Sequence, residues 1–240
     1  KDKVKVVPFI WDPTFLDIET KKYAGLESND LPIYVPGKYT KDKKISSFEP
    51  NMNIVKWSML PTLIVEDYFK EGGDFDKFTI LSGDSLIKQK FYQTILENTK
   101  LYNYDPIKIN WLPRIEITQA LSKITDVVIS HQWENGLNYS YLDALYLQYP
   151  LVHNTPYIRD AGYYYPGFNI GEGKIQLENA MNKHDRYLDE YNTRSEDVLT
   201  RYTVYNEDML DLYNKLLDNA INPDTHKLSG NYNWKTNTYL

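Results

Sequence analysis

The sequence predicts an α/β protein built on a parallel sheet covered by helices on both faces. Three observations predict it. Short apolar runs alternate with helical patterns along most of the chain. The connections between them are short, as βαβ units require. Polar clusters recur at the carboxyl ends of the predicted strands, where such sheets bind ligands.

Taken in order, "VKVVPFIWDP" reads as a short strand stopped by Pro13. Residues 19–44 are polar and lysine-rich and carry Gly25, Pro32, Pro36 and Gly37, the composition of an exposed linker. "KISSF" is the next strand. Ile54, Val55, Leu60, Leu63, Ile64 and Tyr68 recur at helical spacing, so residues 54–70 read as a helix that Pro61 would kink. "FTILSGD" is a buried strand with a glycine turn, and residues 85–99 are helical. "IKINWL" is a strand, "RIEITQALSKI" an amphipathic helix, "DVVIS" a strand, "NYSYLDALYLQY" a helix and "PLVHN" a strand. Residues 173–192 and 205–219 are helical, and the tail beyond Asn222 is polar and irregular. This divides the chain into residues 1–44 (strand and linker), 45–220 (sheet domain with C-terminal helices) and 221–240 (tail).

Composition narrows the function. The 240 residues are 42% hydrophobic, enough for a substantial core. A net charge of -6 disfavours nucleic acid as a partner, although a local basic groove remains open. With no cysteine, disulfides and thiolate metal sites are excluded, which suits a cytoplasmic protein. No apolar run is long enough for a membrane span. The N-terminus "KDKVKVVPFI" is too short and charged for a signal peptide and lacks an initiator methionine, the expectation for a processed or truncated chain. The 22 tyrosines fit either compositional drift or a carbohydrate-binding surface, since aromatic rings stack on sugar faces.

Counting strands from "KISSF", the candidate chemistry lies in four polar clusters at strand ends and in Arg114 after the third strand. In "EPNMNIVKW", Asn51 and Asn53 can cap a helix or leave N–H groups open to phosphate, with Lys56 adding charge. Ser82 and Gly83 follow the second strand. Arg114 follows the third, where it can neutralise a diphosphate or cap a helix. The fourth strand opens "SHQWENGLN", with His131, Trp133, Glu134, Asn135 and Asn138, and Asp143 comes further along the next helix. His153 and Asn154 end the fifth strand. Glu134 can accept hydroxyls of a ribose or sugar, or cap the helix. The four histidines are scattered singly, so no metal site is expected. Walker A, G-x-G-x-x-G and G-x-S-x-G patterns are missing, which disfavours P-loop kinases, NAD enzymes and serine hydrolases.

"FEPNMNIVKWSMLPTLIVEDYF", "DVVISHQWENGLNYSYLDALYLQYPLVHN" and "RDAGYYYPGFNI" together resemble an uncharacterised family of bacterial and phage proteins that look like GT-B glycosyltransferases. The resemblance runs from about Val4 to Asn192. It implies a single Rossmann-like domain, the donor-binding half of such an enzyme, transferring sugar from a nucleotide-sugar to a glycan or other hydroxyl acceptor. "NGLNYSYLDA" looks like the E-x7-E segment of the retaining type. Asp143-Ala144 takes the place of the second acid and its alanine. Strict spacing puts the first acid at Asn135, one residue from Glu134. By the same resemblance Asp143 holds the ribose, and Asn51, Asn53, Lys56 and Arg114 face the diphosphate. His131 and Glu134 orient the sugar, and His153 and Asn154 lie at the nucleotide rim. No cofactor or metal is implied, and the N-terminal half would be a separate chain or missing. The alternatives are a phage DNA-base glycosyltransferase and a non-catalytic nucleotide-, sugar-binding or assembly module.

Overall fold

The computed structural model describes residue 7, residues 9–23 and 31–221, and the pairs 232–233 and 238–239. After helix α1 (Thr14–Tyr23) the chain runs through β1 (Lys44–Ser47), α2 (Met59–Lys70) and β2 (Lys77–Leu81). Three short helices follow, α3 (Gly83–Leu86), α4 (Lys90–Leu96) and α5 (Lys100–Tyr104). Then come β3 (Ile109–Leu112), α6 (Ile117–Ile124), β4 (Val127–Ile129), α7 (Tyr139–Tyr146), β5 (Leu151–His153) and β6 (Tyr163–Tyr164). Helices α8 (Ile170–Lys183), α9 (Leu188–Leu199) and α10 (Glu207–Ile221) complete this region, and Tyr232–Asn233 pairs antiparallel with Thr238–Tyr239.

The six strands form one sheet in the order β3-β2-β1-β4-β5-β6, and every pairing is parallel. Both of its faces are covered by apolar cores. Val127, Ile129 and Val152 join the core under α2, α4, α5 and α8. Val128 and Leu151 point the other way, into the core under α1, α6, α7 and α9. This alternation explains why the strands read as continuous apolar runs. Among the described residues no helix is long and apolar enough to cross a membrane.

The central strand β1 buries polar Ser46 and Ser47 beside apolar Ile45. Each finds a partner. Ser46 Oγ donates to the Ile124 carbonyl at 3.2 Å and accepts from Thr125 Oγ1 at 2.9 Å, while Ser47 and Ser58 hydroxyls meet at 3.0 Å. The small side chain of Ser47 lets the start of α2 lie close against the sheet. Glycine has the same effect between α2 and α8. A Cβ at Gly173 would stand 2.6 Å from Ile64 Cδ1 and 2.9 Å from Cγ1. Gly173→Ala is therefore expected to force the two helices apart and cost about 1–3 kcal/mol, read as a lower midpoint in denaturant at unchanged m-value.

Several boundaries differ from the sequence reading. Part of the expected N-terminal strand lies outside the described residues. Its described part, residues 9–12, is not strand, and Trp11 bonds through its N–H to the Tyr202 carbonyl at 2.9 Å. The expected linker contains the second half of α1 and buries Tyr34 in the core, as Trp11 and Leu16 are buried before it. Helix α2 starts at Met59, because Asn51 holds residues 51–58 as a loop. Pro61 sits in the first turn of α2, where its missing N–H has no intrahelical partner to lose, so it makes no kink. Residues 85–99 fall mainly into short helices, and 173–192 is interrupted around His184. Strand β6 carries too few residues to show a pattern, and most of the predicted irregular tail lies outside the described residues.

Candidate functional site

The strand order reverses at β1, whose neighbours are β2 and β4. Loops leaving the carboxyl ends there part in opposite directions and open a crevice. Three of the four described non-glycine residues with positive φ mark this rim: Asn51 (φ 55°), Ser82 (φ 53°) and Glu134 (φ 51°), after β1, β2 and β4 respectively. The conformation costs about 1–2 kcal/mol for an L-residue. Its recurrence shows three loops turned sharply to expose the same edge.

A cleft of about 840 Å³ lies along that edge. Five candidates line it: Lys56, Ser82, Arg114, Asn138 and Asp143. Lys56 is half-buried. Burial holds its ammonium below the usual lysine range, and the nearby Glu49 pulls it back up. Arg114 is exposed just beyond β3. Asn138 caps α7, accepting the Ser140 N–H on Oδ1 at 3.3 Å. Asp143 lies one turn further on, and burial pushes its carboxyl up to about 7. The Trp11 indole Nε1–H donates to Asp143 Oδ1 at 2.8 Å and favours the ionised form, while the charge on Glu19 opposes it. Gly83 starts α3 behind this cleft, and a Cβ there would stand 3.0 Å from Trp111 Cδ1.

The remaining candidates lie elsewhere. Asn51 is buried and bound entirely to backbone. Its Nδ2 donates to the Glu49 and Leu81 carbonyls, both at 3.0 Å, and its Oδ1 accepts the Ser58 N–H at 2.8 Å. Asn53 is exposed and turns its own loop by accepting the Val55 N–H at 3.0 Å. His153 is fully buried, with Nε2 bonded to the Ala161 carbonyl at 3.0 Å. Asn154 ties two loops together: Oδ1 accepts the Gln132 N–H at 2.9 Å, and Nδ2 donates to the Gln132 and Gly167 carbonyls at 2.7 and 2.9 Å. The exposed Asn135 gives its N–H to Gln132 Oε1 at 2.6 Å. Glu134 stands at a second cleft of about 480 Å³, which shares no lining residue with the first.

His131 is buried beside a polar network that the sequence reading did not single out. Glu49, at the end of β1, is 1% exposed. Its Oε1 accepts from the Ser130 hydroxyl and from the His131 N–H, the latter at 3.1 Å, while Oε2 has no partner. The Tyr165 hydroxyl donates to the Ser130 carbonyl at 2.9 Å and lies 3.1 Å from His131 Nδ1. Burial pushes Glu49 up to about 7 against the pull of Ser130, His131 and Lys56. Its one signal in the sequence was its position at the end of the strand "KISSF".

These groups set a pH dependence. Burial holds His131, His153 and His184 down to about 4, so the stability tied to their neutral forms is lost as pH falls from about 6.5 towards 4. Glu49 and Asp143 act in the opposite sense. Their folded pKa values are raised, so stability falls as pH rises from the unfolded range, about 4, to about 7. Glu49→Gln keeps an acceptor for Ser130 and His131 but removes the titration. Its stability relative to the parent is expected to rise by up to about 3 kcal/mol between pH 4.5 and 7, measured by denaturation at each pH.

Among the described residues no three His, Cys, Asp or Glu side chains come together to hold a metal ion. The fold and the cleft at its switch point define a Rossmann-like α/β domain with the architecture of a single GT-B glycosyltransferase half. The chain belongs to the family described as "Protein of unknown function (DUF2827)", whose model matches residues 1–217. A comparison with curated protein sequences found no match.

Solved structures share the fold. A trehalose-6-phosphate synthase studied for glycosyltransfer with retention superposes with a TM-score of 0.59 at 14% identity, covering 89% of this chain and 52% of that one. The α,α-trehalose 6-phosphate synthase of Burkholderia multivorans gives 0.60 at 12%, covering 91% and 51%. S. aureus TarM, solved with UDP and α-GlcNAc-glycerol, gives 0.56 at 17%, covering 84% and 42%. The chain thus spans about half the length of these structures.

Proposed function

We propose that this chain is the nucleotide-sugar-binding half of a glycosyltransferase. The observation that carries this reading is the convergence of Lys56, Ser82, Arg114, Asn138 and Asp143 on one cleft at the switch point. Two cations there would hold a diphosphate, and α7 would direct its N-terminus and the capped Asn138 loop towards it. Asp143 would accept the ribose hydroxyls. Burial makes that carboxylate a strong acceptor when ionised, because little water competes for it.

Transfer would then rest on stabilising the leaving diphosphate electrostatically, with Lys56 and Arg114 in the role a metal plays in other enzymes. The acceptor, a glycan or other hydroxyl compound, and the rest of the catalytic apparatus would come from a second lobe beyond this chain. A cysteine-free composition is compatible with work in the cytoplasm, where nucleotide-sugars are made.

The test is a thermal-shift panel of nucleoside diphosphates and their sugars, since a ligand that binds only the folded chain raises its melting temperature. A rise with one base is expected, reduced in Asp143→Ala. The absence of any rise at millimolar ligand would leave the cleft without this role and favour a non-catalytic assembly module.

A further inference from the structure

The second cleft has its own character. It lies between the loop after β4 and the loops flanking β6, and its walls carry Trp133, Tyr157, Tyr164 and Phe168. Trp133 is 45% exposed and Phe168 49%, and their ring centroids stand 6.2 Å apart at 71°. Exposed rings at loop tips are usually mobile, but these loops are fixed from several sides. The Trp133 N–H donates to the Val55 carbonyl at 2.8 Å. Asn154 holds residue 132 to residue 167 through its three hydrogen bonds. Thr155 Oγ1 donates to the Gly136 carbonyl at 2.9 Å. Gly136 itself is needed for the fit, because a Cβ would fall 2.4 Å from Thr155 Oγ1 and 2.8 Å from the Tyr157 ring. The His131 ring backs Phe168 at 4.7 Å between centroids. Glu134 is then held in the left-handed region with its side chain exposed at the cleft.

The chemistry of the walls selects a ligand class. Of the ten lining residues none is lysine or arginine, so a phosphate or other anion has no counter-charge there. The aromatic faces offer apolar area and the carboxylate an acceptor, with Gln132 and Asn154 at the base. A pyranose presents both complements, a face of C–H groups and a ring of hydroxyl donors. The volume, about 480 Å³, lies in the range of small-molecule sites.

We propose that this cleft is a saccharide subsite, separate from the nucleotide cleft, that stacks a neutral pyranose on Trp133 and Phe168 and takes its hydroxyls on Glu134. It stands independently of the nucleotide reading, because the two clefts share no lining residue.

Saturation-transfer NMR tests it, with the methyl glycosides of glucose, galactose and N-acetylglucosamine at tens of millimolar, while the Trp133 indole N–H resonance of the ¹⁵N-labelled chain is followed. Transfer to the ring protons of at least one pyranoside and a shift of the Trp133 resonance are expected. The transfer should disappear in Trp133→Ala/Phe168→Ala, and both signals should persist in Lys56→Ala, with Glu134→Gln weakening binding about tenfold. Because both aromatic rings are only partly buried, the double variant should fold with a modestly lowered melting temperature. Should it unfold, the Trp133 shift in the parent chain still decides. No transfer from any of the three glycosides, or binding that leaves the Trp133 resonance unmoved, overturns the proposal. Loss of binding in Lys56→Ala would place the sugar in the nucleotide cleft and equally overturn it.

Discussion

Lys56→Ala/Arg114→Ala is expected to lose nucleoside diphosphate affinity by a factor of about 10²–10³. Each cation would make a charge-assisted hydrogen bond to a phosphate oxygen, and such bonds contribute about 1.5–3 kcal/mol. The loss should not be symmetrical between the single variants. Lys56 is half-buried, so its interaction with phosphate is the less screened of the two. Arg114 is exposed and should contribute less, with a stronger dependence on salt. Titration calorimetry on the two single variants and the double variant, each at low and high salt, separates them. Arg114→Ala should keep a melting temperature near the parent value without ligand, whereas Lys56→Ala also removes the cation near buried Glu49 and should melt slightly lower. An unchanged affinity in the double variant would remove the diphosphate from this cleft.

The second large effect falls on stability. Asn51 joins the end of β1, the end of β2 and the start of α2 through three hydrogen bonds, and does so at φ 55°. Asn51→Ala would leave the Glu49 and Leu81 carbonyls and the Ser58 N–H without these partners at a buried position. It would also place a residue without a local hydrogen-bonding side chain in the left-handed region. A loss of about 3–5 kcal/mol is expected, which in a chain of this size lowers the melting temperature by about 10 °C. Asn51→Gly relieves the backbone strain but not the lost bonds, so it should recover roughly 1 kcal/mol of that loss. Equal melting temperatures for Asn51→Ala and the parent would contradict the bracing role.

Much of the fold was legible because its strands are buried on both faces. "DVVIS" and "PLVHN" could be read as strands from composition alone, and β4 and β5 stand within them. What escaped was whatever depended on distant partners. Nothing local in "EPNMNIVKW" says that the Asn51 side chain will reach the Leu81 carbonyl, so the apolar spacing extended α2 back over the loop. Trp11 reads as part of a strand until the Tyr202 carbonyl takes its N–H and Asp143 takes its indole N–H. At the site, strand ends marked the rim, and Lys56, Ser82, Arg114, Asn138 and Asp143 come together there. Glu134 and Asn154 also lie at strand ends but face a different cleft, a division set by the sheet's strand order and invisible to spacing along the chain. Glu49 escaped because a carboxylate with an unpartnered oxygen has no sequence signature beyond its position after a strand.

Whether the switch-point cleft holds a nucleoside diphosphate is decided by crystals of the chain soaked in turn with saturating UDP, GDP, ADP, CDP and dTDP. One of them is expected with its diphosphate between Lys56 and Arg114 and its ribose on Asp143. A cleft left empty by all five, or a nucleotide seated away from these three residues, would contradict it.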